Sequence, residues 1–233
     1  ITSRIADIHF TPTQQATKNL LQEGIPENTI IETGNTVIDA LFWATNKITQ
    51  PNFFHPEIEY LKRTIPTDKK IVLVTGHRRE NFGAGFQHLC QALLTIANRE
   101  DVTIVYPVHL NPNVKEVVYE LLSNNKNIHL IAPVSYPAFV WLMQKSFLIV
   151  TDSGGIQEEA PSLGKPVVVT RTVSERPEGV AAGFSTLVGT DTAKIINAIQ
   201  TILDNFAGFD NPMNPYGDGN ASKRIVEYLK NIG

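Results

Sequence analysis

The sequence predicts an α/β protein in which a Rossmann-like parallel sheet carries helices on both faces. From Lys70 onward, short apolar runs rich in β-branched residues alternate with longer amphipathic segments. The apolar runs are continuous, which is typical of strands that are buried on both faces of a parallel sheet. Ligands of such sheets bind beyond the carboxyl ends of the strands, so the loops at those ends are the candidate functional regions.

The predicted elements are given first for the residues before Lys70, and then as strands and helices for the residues after it. Before Lys70 they are a strand over 5–10, a helix over 13–23 that Thr13 caps and Gly24 ends, a strand over 29–32, a helix after Asn35 and a short helix over 56–62. After Lys70 the strands are 71–74, 102–106, 128–131, 147–150, 167–169 and 186–188. The helices are 85–98, 113–123, 136–144 (capped by Ser135), a short one to 163, 177–182, 191–206 and 221–230.

Length and composition exclude several classes of protein. A chain of 233 residues with 42% hydrophobic and 18% charged residues is globular, with one large or two small domains. The formal net charge of -3 and the absence of a long apolar run give no reason to expect nucleic acid or a membrane as partner. Cys90, the only cysteine, is expected to be a core thiol, and a cytoplasmic location follows.

The stretch Asp152–Glu159 lies where a predicted buried strand turns into a helix. Gly154 and Gly155 allow a sharp turn and the close approach of a ligand. The first N–H groups of a helix lack intrahelical partners and attract phosphate, and Ser153 adds a hydroxyl donor. Glu159 lies one helical turn after Gly155, where it can accept hydrogen bonds from a sugar diol. We interpret the stretch as a diphosphate-and-ribose site; the alternative is an ordinary turn with a solvated glutamate pair.

The loop Thr75–Gly83 follows the first strand of the same sheet. His77 exchanges protons near neutral pH, and Arg78 and Arg79 can bind phosphate or carboxylate through two hydrogen bonds. We favour a functional loop over a solvated one, because these side chains cluster where α/β proteins bind anions.

Three other positions leave two interpretations open. His109 follows the second strand of this sheet and is either a site residue or a structural histidine. Phe139 opens a helix, and its residue type alone favours core packing over stacking on a base. Arg176 either supplies a cation near the glycine turn or is solvated at a helix start.

Several cofactor motifs are absent. The sequence contains no Cys/His metal cluster, no Gly-x-Ser-x-Gly elbow, no phosphate loop ending in Gly-Lys-Ser/Thr and no Gly-x-Gly-x-x-Gly. Neither a metal nor a nicotinamide cofactor is therefore expected.

Several stretches together resemble one known family: residues 33–41, 75–81, 106–112 and 151–167, extended by 175–178 and 214–219. Over its whole length the sequence resembles the non-hydrolysing UDP-N-acetylglucosamine 2-epimerases. Their fold is that of the two-domain B-type glycosyltransferases, with the active site between two Rossmann-like domains. The resemblance implies that this chain is the C-terminal half of that fold.

The resemblance also implies a reaction and its site. The reaction is the reversible conversion of UDP-N-acetylglucosamine to UDP-N-acetylmannosamine by elimination and re-addition of UDP, in a homodimer and without a cofactor. The implied roles are diphosphate binding by Ser153, Gly154 and Gly155, ribose binding by Glu159, uracil contact by Phe139, phosphate or sugar contact by Arg176, a catalytic position for His77 beside the reacting sugar, and a possible activator site at Arg78 and His109.

The resemblance further divides the chain. Residues 1–48 would be the last strand–helix portion of an N-terminal domain, 49–68 a linker, 69–215 the UDP-binding domain, and 216–233 a helix packing back toward the N-terminal domain. Family members carry earlier residues whose carboxylates are the leading acid and base candidates, so the chain alone is expected to bind UDP weakly and not to epimerise. The alternatives are a hydrolysing 2-epimerase, a B-type glycosyltransferase and a non-catalytic nucleotide-sugar-binding module.

Overall fold

The computed structural model describes residues 2–232. Ile1, the first residue of the predicted segment 1–48, and Gly233, the last residue of the predicted segment 216–233, lie outside the described residues. The strands are β1 (His9–Thr11), β2 (Ile30–Glu32), β3 (Lys70–Thr75), β4 (Val102–Pro107), β5 (Ile128–Ile131), β6 (Ser146–Thr151), β7 (Val167–Val169) and β8 (Ser185–Leu187). The helices are α1 (Thr2–Ile5), α2 (Gln14–Gln22), α3 (Thr36–Ile48), α4 (Pro56–Thr64), α5 (Ala84–Ile96), α6 (Pro112–Leu122), α7 (Tyr136–Lys145), α8 (Gly154–Glu159), α9 (Pro177–Ala181), α10 (Thr192–Asn205) and α11 (Ala221–Ile232). Over residues 2–232, none of these helices combines the length and apolar character that a bilayer span requires.

The main feature is a six-stranded sheet with the order β5-β4-β3-β6-β7-β8. All neighbouring strands in it pair parallel. The predicted fold class is therefore confirmed. The bounds of β5 and β7 are those predicted from the sequence, and the other four strands of this sheet differ from the prediction by one residue at one or both ends.

Side chains of the central strands alternate between two hydrophobic clusters, one on each face of the sheet. Val72 and Val74 of β3 pack with α5, α6 and α10, whereas Ile71 and Leu73 pack with α3, α4 and α7. Cys90 lies in the first cluster, and burial raises the pKa of its thiol to about 12. It is the core thiol that was predicted, with little thiolate available near neutral pH.

The first elements of the chain form a separate two-stranded sheet in which His9 pairs with Ile30. The predicted strand over 5–10 is wrong at its start, because Thr2–Ile5 forms a helical turn and pairing begins only at His9. The partner β2 has only three residues, so it offers no ladder to a longer strand. Thr13 caps α2 as predicted, since its Oγ1 accepts a hydrogen bond from the N–H of Ala16 at 3.2 Å.

The segment between the two sheets contributes to the main core. Ile58 and Leu61 of α4 pack in the same cluster as Leu41 of α3 and the strands of the large sheet. At the other end of the chain, α11 contacts α3, where Asp39 Oδ2 accepts the N–H of Ala221 at 3.1 Å. The division of the chain at residues 49–68 stays a prediction.

Candidate functional site

The predicted site loops meet at the point where the strand order reverses. From β3 the chain adds β4 and β5 on one side of the sheet, and from β6 it adds β7 and β8 on the other. Open α/β sheets bind ligands at such a point, beyond the carboxyl ends of the strands. The final residues of the two central strands, Thr75 and Thr151, are linked by a hydrogen bond of 2.6 Å between their hydroxyls. The loop after β3 and the turn after β6 are therefore adjacent.

A buried carboxylate joins this loop to this turn. Asp152 is 0% exposed, and its Oδ2 accepts the backbone N–H groups of His77 at 3.0 Å and Arg78 at 2.9 Å. The same oxygen accepts the side-chain amide of Asn81 at 3.2 Å. No role had been predicted for Asp152. The available signal was an aspartate at the end of a buried strand, where a charged group is retained only if it is hydrogen-bonded.

Two histidine rings stack on each other next to this carboxylate. The rings of His77 and His109 are stacked with centroids 5.6 Å apart and 22° between their planes, and Nδ1 of His77 lies 3.5 Å from Oδ1 of Asp152. Both rings line a cleft of about 230 Å³ together with Phe139 and Ser153. The structure therefore brings together four of the predicted site residues.

The position of Phe139 is compatible with both interpretations that the sequence left open, core packing and stacking on a base. It is half-buried and packs against the hydrophobic cluster that contains Ile71 and Leu73. It also lines the cleft beside the histidines. Its helix, α7, differs from the prediction at its start: the Ser135 side chain forms no capping bond there. Ser135 instead contacts the carboxylate of Glu57 through both its N–H, at 3.0 Å, and its hydroxyl, because α4 packs against α7.

The glycine turn is built as the sequence predicted. Helix α8 begins at Gly154, and the N–H of Ser153 donates to Oγ1 of Thr151 at 3.0 Å, which fixes the turn to the end of β6. Gly154 is buried, whereas Gly155 is exposed. The first N–H groups of the helix and the Ser153 hydroxyl can therefore serve an anion at this turn.

Glu159 is buried rather than solvated. It is only 5% exposed, and its Oε1 accepts the hydroxyl of Tyr136 at 2.5 Å. Burial raises the pKa of the Glu159 carboxyl, the bond from Tyr136 opposes that shift, and the negative charge of Glu158 adds to it. The alternative of a solvated glutamate pair is therefore wrong for Glu159. A buried carboxylate with a remaining acceptor oxygen is suited to a neutral polar ligand such as a diol.

Arg176 lies directly against the glycine turn. A Cβ placed on Gly154 would lie 3.6 Å from both Cζ and Nη2 of Arg176. The Nε of Arg176 pairs with Oε1 of Glu158, which is itself 8% exposed. Glu158 had been considered only as one of a solvated pair, so its partnership with Arg176 is a feature that sequence reasoning missed. Arg176 lies in the loop after β7, more than twenty positions after Gly154 in the sequence.

Arg78 is directed away from the histidine cleft. Its Nη2 lies 3.9 Å from Oε2 of Glu175. The other oxygen of Glu175 contacts Nη2 of Arg171 at 3.2 Å, and Nε of Arg171 donates to Glu80 at 2.7 Å. This network connects the loop after β3 with the loop after β7. Arg78 and His109, predicted to share an activator site, thus lie on the same loop cluster but face different neighbours.

A second, larger cleft of about 610 Å³ lies beside Arg176. The N-terminal helix α2 and the segment before α3 form one wall of this cleft, and residues around α9 form the other. Across it, the hydroxyl of Thr13 donates to Oε1 of Glu178 at 2.6 Å. The lining includes the polar side chains of Asn35, Glu158 and Arg176. Space for a polar ligand therefore extends from the glycine turn toward the first residues of the chain.

These features define a class of protein: a Rossmann-like α/β domain with an anion-binding turn, an adjacent arginine and paired histidines at its topological switch point. The model of the UDP-N-acetylglucosamine 2-epimerase family matches residues 1–230 of the chain. The chain therefore belongs to the UDP-N-acetylglucosamine 2-epimerase family, as the resemblance in the sequence implied.

Individual relatives agree with this assignment. The UDP-N-acetylglucosamine 2-epimerase of Escherichia coli K12 is 50% identical in an alignment of 235 positions that covers 99% of this chain and 62% of the relative. The Neisseria meningitidis UDP-GlcNAc 2-epimerase, solved with UDP-GlcNAc bound, superposes with a TM-score of 0.91 at 45% identity over 99% of this chain and 63% of that one. An S. aureus protein solved with UDP gives a TM-score of 0.86 at 40% identity over 98% and 61%.

The fold extends beyond the family. The wall teichoic acid polymerase TagF superposes with a TM-score of 0.54 at 16% identity, a likeness that concerns the fold alone. The chain corresponds to the C-terminal half of this glycosyltransferase-like fold. It spans about three fifths of the length of the curated relatives it matches.

Proposed function

We propose that this chain forms the UDP-binding half of an enzyme that reversibly converts UDP-N-acetylglucosamine to UDP-N-acetylmannosamine. The observation that carries the proposal is the position of Arg176 against the Ser153-Gly154-Gly155 turn. A diphosphate at this turn would meet a guanidinium, helix N–H groups and a hydroxyl together. Glu159, on the same helix, would then accept the hydroxyls of the ribose.

The proposed reaction eliminates UDP and adds it back. The proton on sugar carbon 2 is removed while the bond between carbon 1 and the diphosphate oxygen breaks, which leaves a glycal and UDP. A proton returns to carbon 2 from the opposite face, and the diphosphate oxygen bonds carbon 1 again. The departing diphosphate gains negative charge in the transition state, so donors fixed in advance by the fold accelerate its departure.

The remaining site residues have roles that agree with this reaction. His77, beside Asp152 and at the mouth of the turn, acts near the reacting sugar or the leaving diphosphate. Phe139 contacts the uracil from the wall of the histidine cleft. Arg78 and His109 belong to a site for a second, activating substrate molecule. Each of these roles is part of the proposal.

The first test is binding of UDP to the 233-residue chain, measured by titration calorimetry beside a Ser153→Ala, Arg176→Ala double variant. UDP is expected to bind the unmodified chain weakly and the double variant at least tenfold more weakly, since about two charge-assisted or neutral donors are lost. Failure of UDP to bind the unmodified chain at millimolar concentration would contradict the proposal.

The second test follows the chemistry. Because the chain spans 62% of its relatives' length, the complete reaction is proposed for a protein of that length that contains this sequence. Hydrogen exchange at carbon 2 of UDP-N-acetylglucosamine in heavy water is expected from that protein, with inversion, and not from the 233-residue chain. Release of free N-acetylmannosamine would indicate a hydrolysing enzyme instead, transfer of the sugar to an acceptor would indicate a glycosyltransferase, and binding without turnover a sensor.

A homodimer and a cytoplasmic location complete the proposal. The family resemblance supports the dimer, and the buried, unreactive Cys90 agrees with a reducing compartment. Light scattering during size-exclusion chromatography measures the oligomeric state. If a protein as long as the relatives, containing this sequence, were a monomer, the proposed homodimer would be contradicted.

A further inference from the structure

Two of the three guanidinium nitrogens of Arg176 are held by the protein. Nε pairs with Oε1 of Glu158, and Nη1 donates to the backbone carbonyl of Glu175 at 3.0 Å. Nη2 has no protein acceptor within residues 2–232, and it is the nitrogen that faces Gly154 at 3.6 Å from a Cβ placed there. A guanidinium is a rigid planar fork, so fixing two of its nitrogens also fixes the direction of the third.

Glu158 is itself held on three sides. Its Oε2 accepts the side-chain amide of Asn35 at 3.0 Å, and its backbone carbonyl accepts the amide of Asn214 at 2.8 Å. The Asn35 amide cannot rotate freely, because its Oδ1 accepts the N–H of Val37 at 3.0 Å and thereby caps α3. A series of hydrogen bonds therefore connects the start of α3 with Glu158, and Glu158 with Arg176 at the glycine turn.

We infer that Glu158 is a positioning residue that aims Nη2 of Arg176 at the diphosphate, and that Asn35 sets the orientation of Glu158. The inference rests on the proposed function and adds a residue that acts on the diphosphate through Arg176. An arginine without this carboxylate would have to be ordered by the ligand, and ordering a long side chain weakens binding. Glu158 thus preorganises the cation before the diphosphate arrives.

The test is the Glu158→Gln variant of the 233-residue chain. The glutamine oxygen can still accept from Nε of Arg176, but its amide then meets the amide of Asn35, and two donors face each other. Since Asn35 is fixed by its cap, Arg176 or α3 must give way. The affinity for UDP is expected to fall about tenfold, whereas the affinity for uridine, which lacks the diphosphate, stays unchanged.

Two further variants separate positioning from a general structural role. Adding Asn35→Asp to Glu158→Gln restores a donor–acceptor pair and the net charge while an aspartate still caps α3, so most of the UDP affinity should return. In an Arg176→Ala background, Glu158→Gln should have no further effect on UDP affinity, because the residue through which it acts is gone. Thermal unfolding of all variants monitors the fold.

The outcomes are distinct. Equal losses of UDP and uridine affinity, no recovery in the double variant, or an undiminished effect without Arg176 would each overturn the positioning role while leaving the proposed function intact. Absence of UDP binding by the unmodified chain would instead contradict the proposed function. Unchanged UDP affinity in Glu158→Gln would overturn the inference alone.

Discussion

The carboxylate of Asp152 accepts the backbone N–H of His77 at 3.0 Å, although 75 positions separate the two residues in the chain. This bond ties the loop after β3 to the turn after β6. Two further donors, the N–H of Arg78 and the amide of Asn81, converge on the same oxygen. The position of His77 therefore depends on a buried aspartate that lies next to the glycine turn.

Replacing Asp152 with alanine is expected to destabilise the protein by about 3 kcal/mol or more, because several donors lose their acceptor inside the protein. Asp152→Asn keeps one acceptor oxygen and should cost less. Urea unfolding measures both. The control is Asp210→Ala at an exposed position, which should change the free energy of unfolding by less than about 0.5 kcal/mol. Equal stability of Asp152→Ala and Asp210→Ala would contradict the structural role.

Gly154→Ala is expected to separate ligand binding from stability. The new Cβ would meet Arg176 at an ordinary contact distance of 3.6 Å, and alanine favours the helix by up to about 1 kcal/mol. The protein should therefore be as stable as before or slightly more so. The methyl group occupies the approach of the diphosphate, so UDP should bind about tenfold more weakly in calorimetry.

A matched glycine provides the contrast for this variant. Gly179 also lies in a short helix, but a Cβ there would lie 2.9 Å from the hydroxyl of Tyr216. Gly179→Ala should therefore lower the free energy of unfolding by about 1–3 kcal/mol. If Gly154→Ala were the less stable of the two variants, the contact geometry described for both glycines would be wrong.

Tyr216→Phe is expected to loosen the loop that carries Arg176. The buried phenol accepts the N–H of Gly179 at 2.8 Å and donates to the carbonyl of Arg176 at 3.1 Å. Loss of both bonds should cost about 1–2 kcal/mol in thermal or urea unfolding. Tyr60→Phe, at a side chain that is 54% exposed, is the matched control and should cost almost nothing. Similar costs for the two variants would show that the Tyr216 hydroxyl does not stabilise the fold.

The pH dependence of stability should carry the signature of Glu159. Its pKa is raised in the fold, first by burial, so the folded state holds a proton that the unfolded state releases near pH 4.5. Stability from this group is therefore present below pH 4.5 and is lost as the pH rises through the higher folded value. Glu159→Gln removes that loss and should be more stable than the unmodified protein at neutral pH, while binding UDP less well.

Glu57 is the control of opposite sign. Its pKa is lowered, first by the hydrogen bond from the Ser135 side chain and then by the Ser135 N–H. Its stabilisation is present above pH 4.5 and is lost as the pH falls through the lower folded value. Glu57→Gln should therefore lose stability at neutral pH. Urea titrations between pH 3 and 8 measure both; parallel pH profiles for the two variants would contradict this assignment.

The regular elements were largely predictable because their signals are local. The apolar runs of β5 and β7 and the cap of α2 at Thr13 follow from residue type and spacing within a few positions. The error at 5–10 arose because an apolar, β-rich stretch forms a strand only where a partner lies beside it. The Ser135 cap failed for a similar reason, since Glu57 from α4 competes for the same hydroxyl.

By itself, the sequence determined the parallel α/β class, the glycine turn after β6 and the polar loop after β3, because strand, turn and helix propensities act over neighbouring residues. Only the tertiary structure decided that β3 and β6 lie side by side, which brings Asp152 beneath His77. The pairing of β6 with β7, also decided only there, brings Arg176 against Gly154. Strand order and the partners of buried charges depend on contacts between residues far apart in the chain. Those contacts exist only once the two faces of the sheet are packed.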